Sequence, residues 1–379
     1  MVRGGYGIFY GRTPSIMVGT AHSNNGINVQ TLTFTGTGVP TYPNILSAIP
    51  TGAAPPPATI FVFSKDYVQP YVQQGSFGVE YQIMKDTSLT VSYLGVRGVK
   101  LQRTIDRNLA PPVLKTLPTK DGPQVTFPFF GNPRPLSHFL RIATFESDAN
   151  SIYHGMTISL NKRFSQNYQL MMAYTYSKVI DDVPDATSVV PFSSGDDGKQ
   201  IFNTFDVRSD RALGINDQRH RFVVSGVWDL ANYAKGLANP LARALAGGWS
   251  LSGILTAQSG QPYTAKVGGG DLNGDSNQQT DRFPGVGRDT FTLPNFVSLD
   301  PRVTREIPIY ERARMQLIFE GFNIFNRTNF NSVRTTQWSL STGTPQQPTP
   351  LTLVRQSNFG TPLSTAGSRI LQLAVKITF

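Results

Sequence analysis

Side chains alternate faces along an extended strand, and this chain shows that alternation repeatedly. It is cleanest in the last eleven residues, Arg369–Phe379 (RILQLAVKITF). Leu371, Leu373, Val375, Ile377 and Phe379 fall on one side; Ile370, Gln372, Ala374, Lys376 and Thr378 fall on the other. The same pattern marks Val2–Gly11 (Tyr6, Ile8, Tyr10), Tyr71–Met84 (Phe77, Val79, Tyr81, Ile83) and Thr87–Gly98 (Leu89, Val91, Tyr93). It returns in Ile152–Phe164 (Met156, Ile158, Leu160) and Tyr168–Val179 (Leu170, Met172, Tyr174, Tyr176). Arg219–Leu230, Gly248–Gln258 and Ala313–Phe325 follow suit. Phe296–Ile307 is a weaker strand candidate because Pro301 interrupts it. The pattern predicts an all-β chain of about ten antiparallel strands, each long enough to cross a bilayer at a tilt. One such strand alone would equally suit the core of a soluble sandwich.

The connections separate the two readings. Residues 12–70, 99–151, 180–218, 259–295 and 326–368 are rich in Gly, Pro, Thr, Asn and Asp, which is loop chemistry. Between them the chain turns tightly at Lys85-Asp86, Ser165–Asn167 and Pro308–Arg312. A moderate connection, Ala231–Gly247, carries LANPLARALAGG, which suits a short helix. Long and short connections alternate without a break. Outer-membrane barrels have this asymmetry, with short periplasmic turns and longer extracellular loops. The expected fold is an antiparallel transmembrane β-barrel with long extracellular loops, with Phe379 and the short turns on the periplasmic side. Trp249, Phe164, Tyr168, Tyr310 and Phe379 suit an interfacial girdle, although ordinary sheet packing also uses such residues.

Composition narrows the class. Hydrophobic residues make up only 39% of the 379, and no apolar run approaches the length of a membrane helix. Cysteine is absent, which excludes disulfides and thiolate metal sites. The formal net charge is +10, but Lys and Arg are scattered and no nucleic-acid motif accompanies them. The charge is read as a solvated or lipopolysaccharide-facing surface, with no nucleic-acid partner. The chain opens MVRGGYGIFYGR, already strand-like, rather than on a basic-then-apolar export signal.

Several ordered segments resemble one family. They are Tyr71-Val72-Gln73-Gln74 followed by Ser76-Phe77-Gly78-Val79-Glu80, Tyr93–Gly98 (YLGVRG), Asp217–Phe222 (DQRHRF), Gly248–Gly253 (GWSLSG) and Gln258–Tyr263 (QSGQPY). Glu320–Phe330 (EGFNIFNRTNF) is similar to a penultimate-strand motif. Together they resemble Oar-like TonB-dependent outer-membrane receptors over nearly the whole chain. The resemblance implies energy-coupled uptake or translocation of a substrate, without naming it. It also implies that Phe379, with Ile377 and Val375, forms the signal read by the barrel-assembly machinery. Such receptors have about 22 strands and a plugged lumen, whereas about ten strands are read here. Residues 1–379 are therefore expected to be the C-terminal part of the barrel domain, with plug and N-terminal domains absent. TonB would then act through the missing plug. The alternative is a complete small barrel, either adhesive or structural, or an outer-membrane hydrolase.

Candidate chemistry is sparse. Asp271, Asn273 and Asp275 occupy the first three ligand positions of an EF-hand-type calcium loop. The sixth position is Ser276 rather than Gly, and the twelfth is Arg282 rather than Glu. A polar Gly-rich turn accounts for the same residues. No other cofactor is expected. For a hydrolase the candidates are His220 with Asp217 and Asp210, or His138 and His154 with Asp148. None has a nucleophile motif such as G-x-S-x-G beside it, so the chain is not expected to be an enzyme.

Overall fold

The computed structural model describes every residue except 28–42, 44–56, 132, 184–199, 235, 237, 311–312 and 345–346. Ten strands form one continuous antiparallel meander. They are β1 (Val2–Tyr10), β2 (Tyr71–Met84), β3 (Thr87–Asp106), β4 (Phe139–Ser165), β5 (Tyr168–Asp181), β6 (His220–Asp229), β7 (Trp249–Gln258), β8 (Phe296–Tyr310), β9 (Ala313–Phe322) and β10 (Ile370–Thr378). Each pairs with the next in chain order. Among the described residues β1 and β10 are not paired with each other, so they form the two edges of the wall.

Register carries the alternation from strand to strand. Phe77, Tyr93, Met156, Tyr176 and His220 stand in one row across β2 to β6. Leu251, Val303, Phe319 and Leu373 form another across β7 to β10. A one-residue slip would flip a whole strand's face, and none occurs within these rows. The apolar face of β10 is bare: Leu373 is 81% exposed and Phe379 93% exposed. A sandwich would bury these residues; a bilayer receives them. The opposite face is polar and self-paired. Arg3 meets Glu80 at 3.0 Å, Arg302 meets Glu320 at 3.2 Å and Arg314 meets Glu306 at 2.6 Å.

The five long connections leave one end of the wall and the short ones the other. Phe164, Tyr168, Trp249, Tyr310 and Phe379 all lie toward the short-turn end, as a periplasmic girdle requires. The Lys162 ammonium sits 3.9 Å from the Tyr168 ring centroid, and the Arg305 guanidinium lies 5.2 Å from that of Trp249. The expected helix is present at Pro240–Ala246, where the Asn239 side chain accepts from the N–H groups of Leu241 and Ala242. Gly248 then enters β7 at φ +74°, and a Cβ there would stand 2.1 Å from the Glu306 carbonyl oxygen. Only glycine fits the first position of the GWSLSG segment.

Two expectations need correction. Pro301 does not weaken its strand: β8 runs 15 residues and pairs on both sides. The ladder to β9 begins at Arg302–Glu320, so the position without an N–H lies just outside it. The stretches 99–151 and 12–70 are not simply irregular. β3 and β4 continue well beyond bilayer length, to Asp106 and from Phe139. In the first connection a helix, Ser15–Ser23, and a strand, Ala58–Phe63, pack on that extension through Met17, Phe61, Ala143 and Phe145.

A labelling experiment checks the orientation. Asp196, a natural choice for the outer side, lies outside the described residues. Asp121 is exposed in the second long connection, and Gln166 is exposed in the β4–β5 turn. Asp121→Cys is expected to react with an impermeant maleimide on intact cells, and Gln166→Cys only after lysis. The reverse outcome would invert the topology.

Candidate functional site

The long connections build a second structure. Strands Lys266–Gly268, Thr336–Thr344, Gln347–Arg355, Val113–Thr119 and Gly122–Phe129 join, in that order, into a five-stranded mixed sheet. Leu117, Phe127, Val267, Leu272 and Leu353 form a hydrophobic core beneath it. Phe283 stacks on Trp338 with centroids 4.6 Å apart. The packed hydrophobic core of this chain is therefore in its loops, while the wall exposes apolar residues outward. We call this loop assembly the cap.

Polar contacts bind the cap together. Arg134 donates to Asp106 Oδ2 at 2.7 Å and to the Asp275 carbonyl at 2.8 Å, tying the second connection to the fourth. Asn273 donates to the Phe202 carbonyl, and Asn277 to Gln200 Oε1, tying the fourth to the third. Arg282 pairs with Asp210, and Arg288 pairs with Asp289 and with Asp181 at the end of β5. These guanidinium groups are buried. Simple charge counting along the sequence does not reveal the Arg282–Asp210 and Arg288–Asp181 pairs, whose members lie 72 and 107 residues apart.

The segment Asp271–Arg282 lies at the centre. Asn273, Asp275, Asn277 and Asp281 are buried, while Ser276 and Gln278 point out. Asp271 accepts from the N–H groups of Gly274 and Ser276, and Asp275 from that of Asn277. Asn273 Oδ1 accepts from the Asp275 N–H. Ser276 adopts φ +70°, the left-handed conformation that the sixth-position glycine of an EF-hand loop supplies. Burial raises the carboxyl of Asp275 to about 7, with the Asp271 charge adding to the rise. Burial likewise raises Asp281 to about 8, against the Leu272 N–H that favours its charged form. Among the described residues no three His, Asp or Glu side chains converge tightly enough to hold a metal on their own.

The hydrolase constellations do not form. His220 Nδ1 lies 2.8 Å from the Tyr174 hydroxyl, and its ring packs on Tyr174 and Tyr176. Asp217 instead accepts from the Val179 N–H and from Arg219, and Asp210 pairs with Arg282. His154 faces the Tyr93 hydroxyl, while Asp148 accepts from Arg103 at 2.5 Å. His154 and His220 thus belong to an outward-facing aromatic row near the cap end of the wall.

Comparison with solved structures gives the fold. The outer membrane transporter YddB from Escherichia coli is similar over 100% of this chain and 38% of its own, at 10% identity and a TM-score of 0.52. The ferric preacinetobactin receptor BauA from Acinetobacter baumannii is similar over 82% of this chain and 30% of its own, at 14% identity and a TM-score of 0.37. The ferric-catecholate import receptor Fiu from E. coli K12 is similar over 83% and 28%, at 10% identity and a TM-score of 0.36. This chain spans well under half the length of each. No curated protein matches it. Residues 1–285 and 276–372 match the outer membrane beta barrel domain, and with its bare apolar face, polar inner face and one-ended loops, the chain belongs to that outer-membrane family.

Proposed function

We propose that this chain is the C-terminal wall of an Oar-like TonB-dependent receptor. In this reading residues 1–379 supply about ten strands of a barrel of about 22. The plug and N-terminal domains lie elsewhere in the receptor, and TonB acts through the plug on the inner-membrane gradient. The carrying observation is the cap itself: the long connections fold into one packed body over a polar, ion-paired wall. Such a body suits substrate capture at the mouth of a polar lumen. The unpaired edges of β1 and β10 support the larger barrel, because each unsatisfied backbone group in lipid costs several kcal/mol. Strands contributed by the rest of the receptor would cover both. Phe379, Ile377 and Val375 would be read by the barrel-assembly machinery, and the bare apolar face would meet outer-membrane lipid and lipopolysaccharide. The reading does not assign catalysis to this chain. Its substrate class is siderophore, saccharide or peptide.

Uptake by intact cells tests it. Cells carrying the intact gene are expected to accumulate one labelled class from a panel of ferric siderophores, oligosaccharides and peptides. A protonophore should abolish that accumulation, and a gene deletion should lack it. If deletion changes the uptake of none of the three classes, or if the uptake survives the protonophore, the energy-coupled reading fails. Adhesion lost in the deletion strain would instead favour the adhesive barrel.

A further inference from the structure

The segment Asp271–Asp281 has features that its own hydrogen bonds do not explain. Oxygen-bearing side chains recur at every second position, Asp271, Asn273, Asp275 and Asn277, and the last three are buried together. An eleven-residue span then ends on Asp281 rather than on a twelfth-position Glu. Asp281 is fully buried. Its Oδ2 accepts from the Leu272 N–H at 2.8 Å, which holds the carboxyl against the turn between Asp271 and Asn273. Its Oδ1 accepts no hydrogen bond, although the Asn273 N–H also lies against this carboxyl. A buried, unpartnered carboxylate oxygen beside two further carboxylates is costly unless a cation shares it.

We propose that this loop is a calcium site in which Asp281 supplies the closing carboxylate, one residue earlier than in an EF-hand loop. Asp271, Asn273 and Asp275 are the other side-chain ligands. Calcium takes six to eight oxygens from carboxylates, amides, backbone carbonyls and water. A cage of three like-charged groups in tight contact is therefore not required, and amide and backbone oxygens complete the shell. The left-handed Ser276 gives the loop its sharp turn in place of glycine. Arg282, at the twelfth position, points away to Asp210, so it does not compete with the ion. The ion would sit where Arg134, Phe202 and Gln200 from two other connections reach this loop. Its role is to fix the cap, independently of whatever the barrel transports.

The test uses the protein purified from outer membranes in detergent and stripped with a chelator. Calorimetric titration with calcium chloride should show one site of extracellular-module affinity, with Kd about 10⁻⁴–10⁻³ M. Asp281→Asn and Asp275→Asn should each weaken it at least about tenfold, and magnesium should not substitute. Calcium should also protect residues 259–295 from limited trypsin digestion in the unmutated protein. That second readout decides the matter if a variant fails to assemble. No calcium heat and no protection, unchanged affinity in both variants, or equal binding of magnesium would each overturn the proposal.

Discussion

Leu373→Arg or Val375→Arg is expected to remove most of the protein from the outer membrane, whereas Gln372→Arg is expected to leave it assembled. All three residues lie in β10 and none is in the cap. Leu373 and Val375 stand on the apolar face, paired in register with Phe319 and Leu317 respectively, and both are exposed. A lipid-facing arginine near the bilayer midplane costs about 2–4 kcal/mol. At about 1.4 kcal/mol per factor of ten, that is roughly a thirty- to thousandfold shift against the inserted state. Gln372 stands opposite Glu320 on the polar face. An arginine there gains a carboxylate neighbour in water, where a pair is worth about 0–1 kcal/mol and does no harm. Outer-membrane fractionation with heat-modifiable mobility measures the difference. Equal tolerance at the three positions would contradict the assignment of faces.

The faces were readable because a strand's period of two is local. Leu371, Leu373, Val375 and Ile377 announce their side whatever they pair with. The topology was readable because loop length needs no knowledge of loop structure. The cap was not readable, for a physical reason. Its strands Lys266–Gly268 and Val113–Thr119 are short, and the sheet pairs partly in parallel, across 70 residues at Lys266–Thr336 and 234 at Thr119–Leu353. Leu117, Val267 and Leu353 look like isolated apolar residues in polar loops until three connections meet. The Ser15–Ser23 helix has no side-chain hydrogen bond at its N-cap and no acidic first turn, and it exists by packing on Phe61 and Phe145. At the candidate site, Asp271, Asn273 and Asp275 were legible from their alternate spacing. Asp281 was not, because a twelve-position template places its closing ligand on Arg282. The Asp210 partner of Arg282 and the Asp275 carbonyl that Arg134 reaches come from other connections, and their sequence separation conceals them.

Asp210→Ala is expected to unlock the cap while leaving the wall intact. Asp210 is almost completely buried in a short helical turn, Val207–Asp210. Its Oδ1 pairs with Arg282, its Oδ2 accepts from the Phe202 N–H at 2.9 Å, and its carbonyl accepts from Arg288 at 3.1 Å. Removing the carboxylate leaves the Arg282 guanidinium buried without its partner, and Arg282 Nε already has none. Breaking a buried pair from one side costs about 3–5 kcal/mol, far more than the pair itself contributes. A local structure stabilised by two small apolar clusters would lose its closed population at that cost. None of Asp210's own partners lies in a wall strand, although Arg288 also reaches Asp181 at the end of β5; the wall is held by nine consecutive ladders between neighbours. Heat-modifiable migration should therefore persist in Asp210→Ala, while limited proteolysis of intact cells should cut within 200–218 and 259–295 at least about tenfold faster. The exposed pair Arg3–Glu80 supplies the contrast, since Glu80→Ala at a solvated site should change stability by about 1 kcal/mol or less. Unchanged loop proteolysis in Asp210→Ala would mean that the apolar cores alone hold the cap. Lost heat-modifiability would mean that cap and wall fold as one unit.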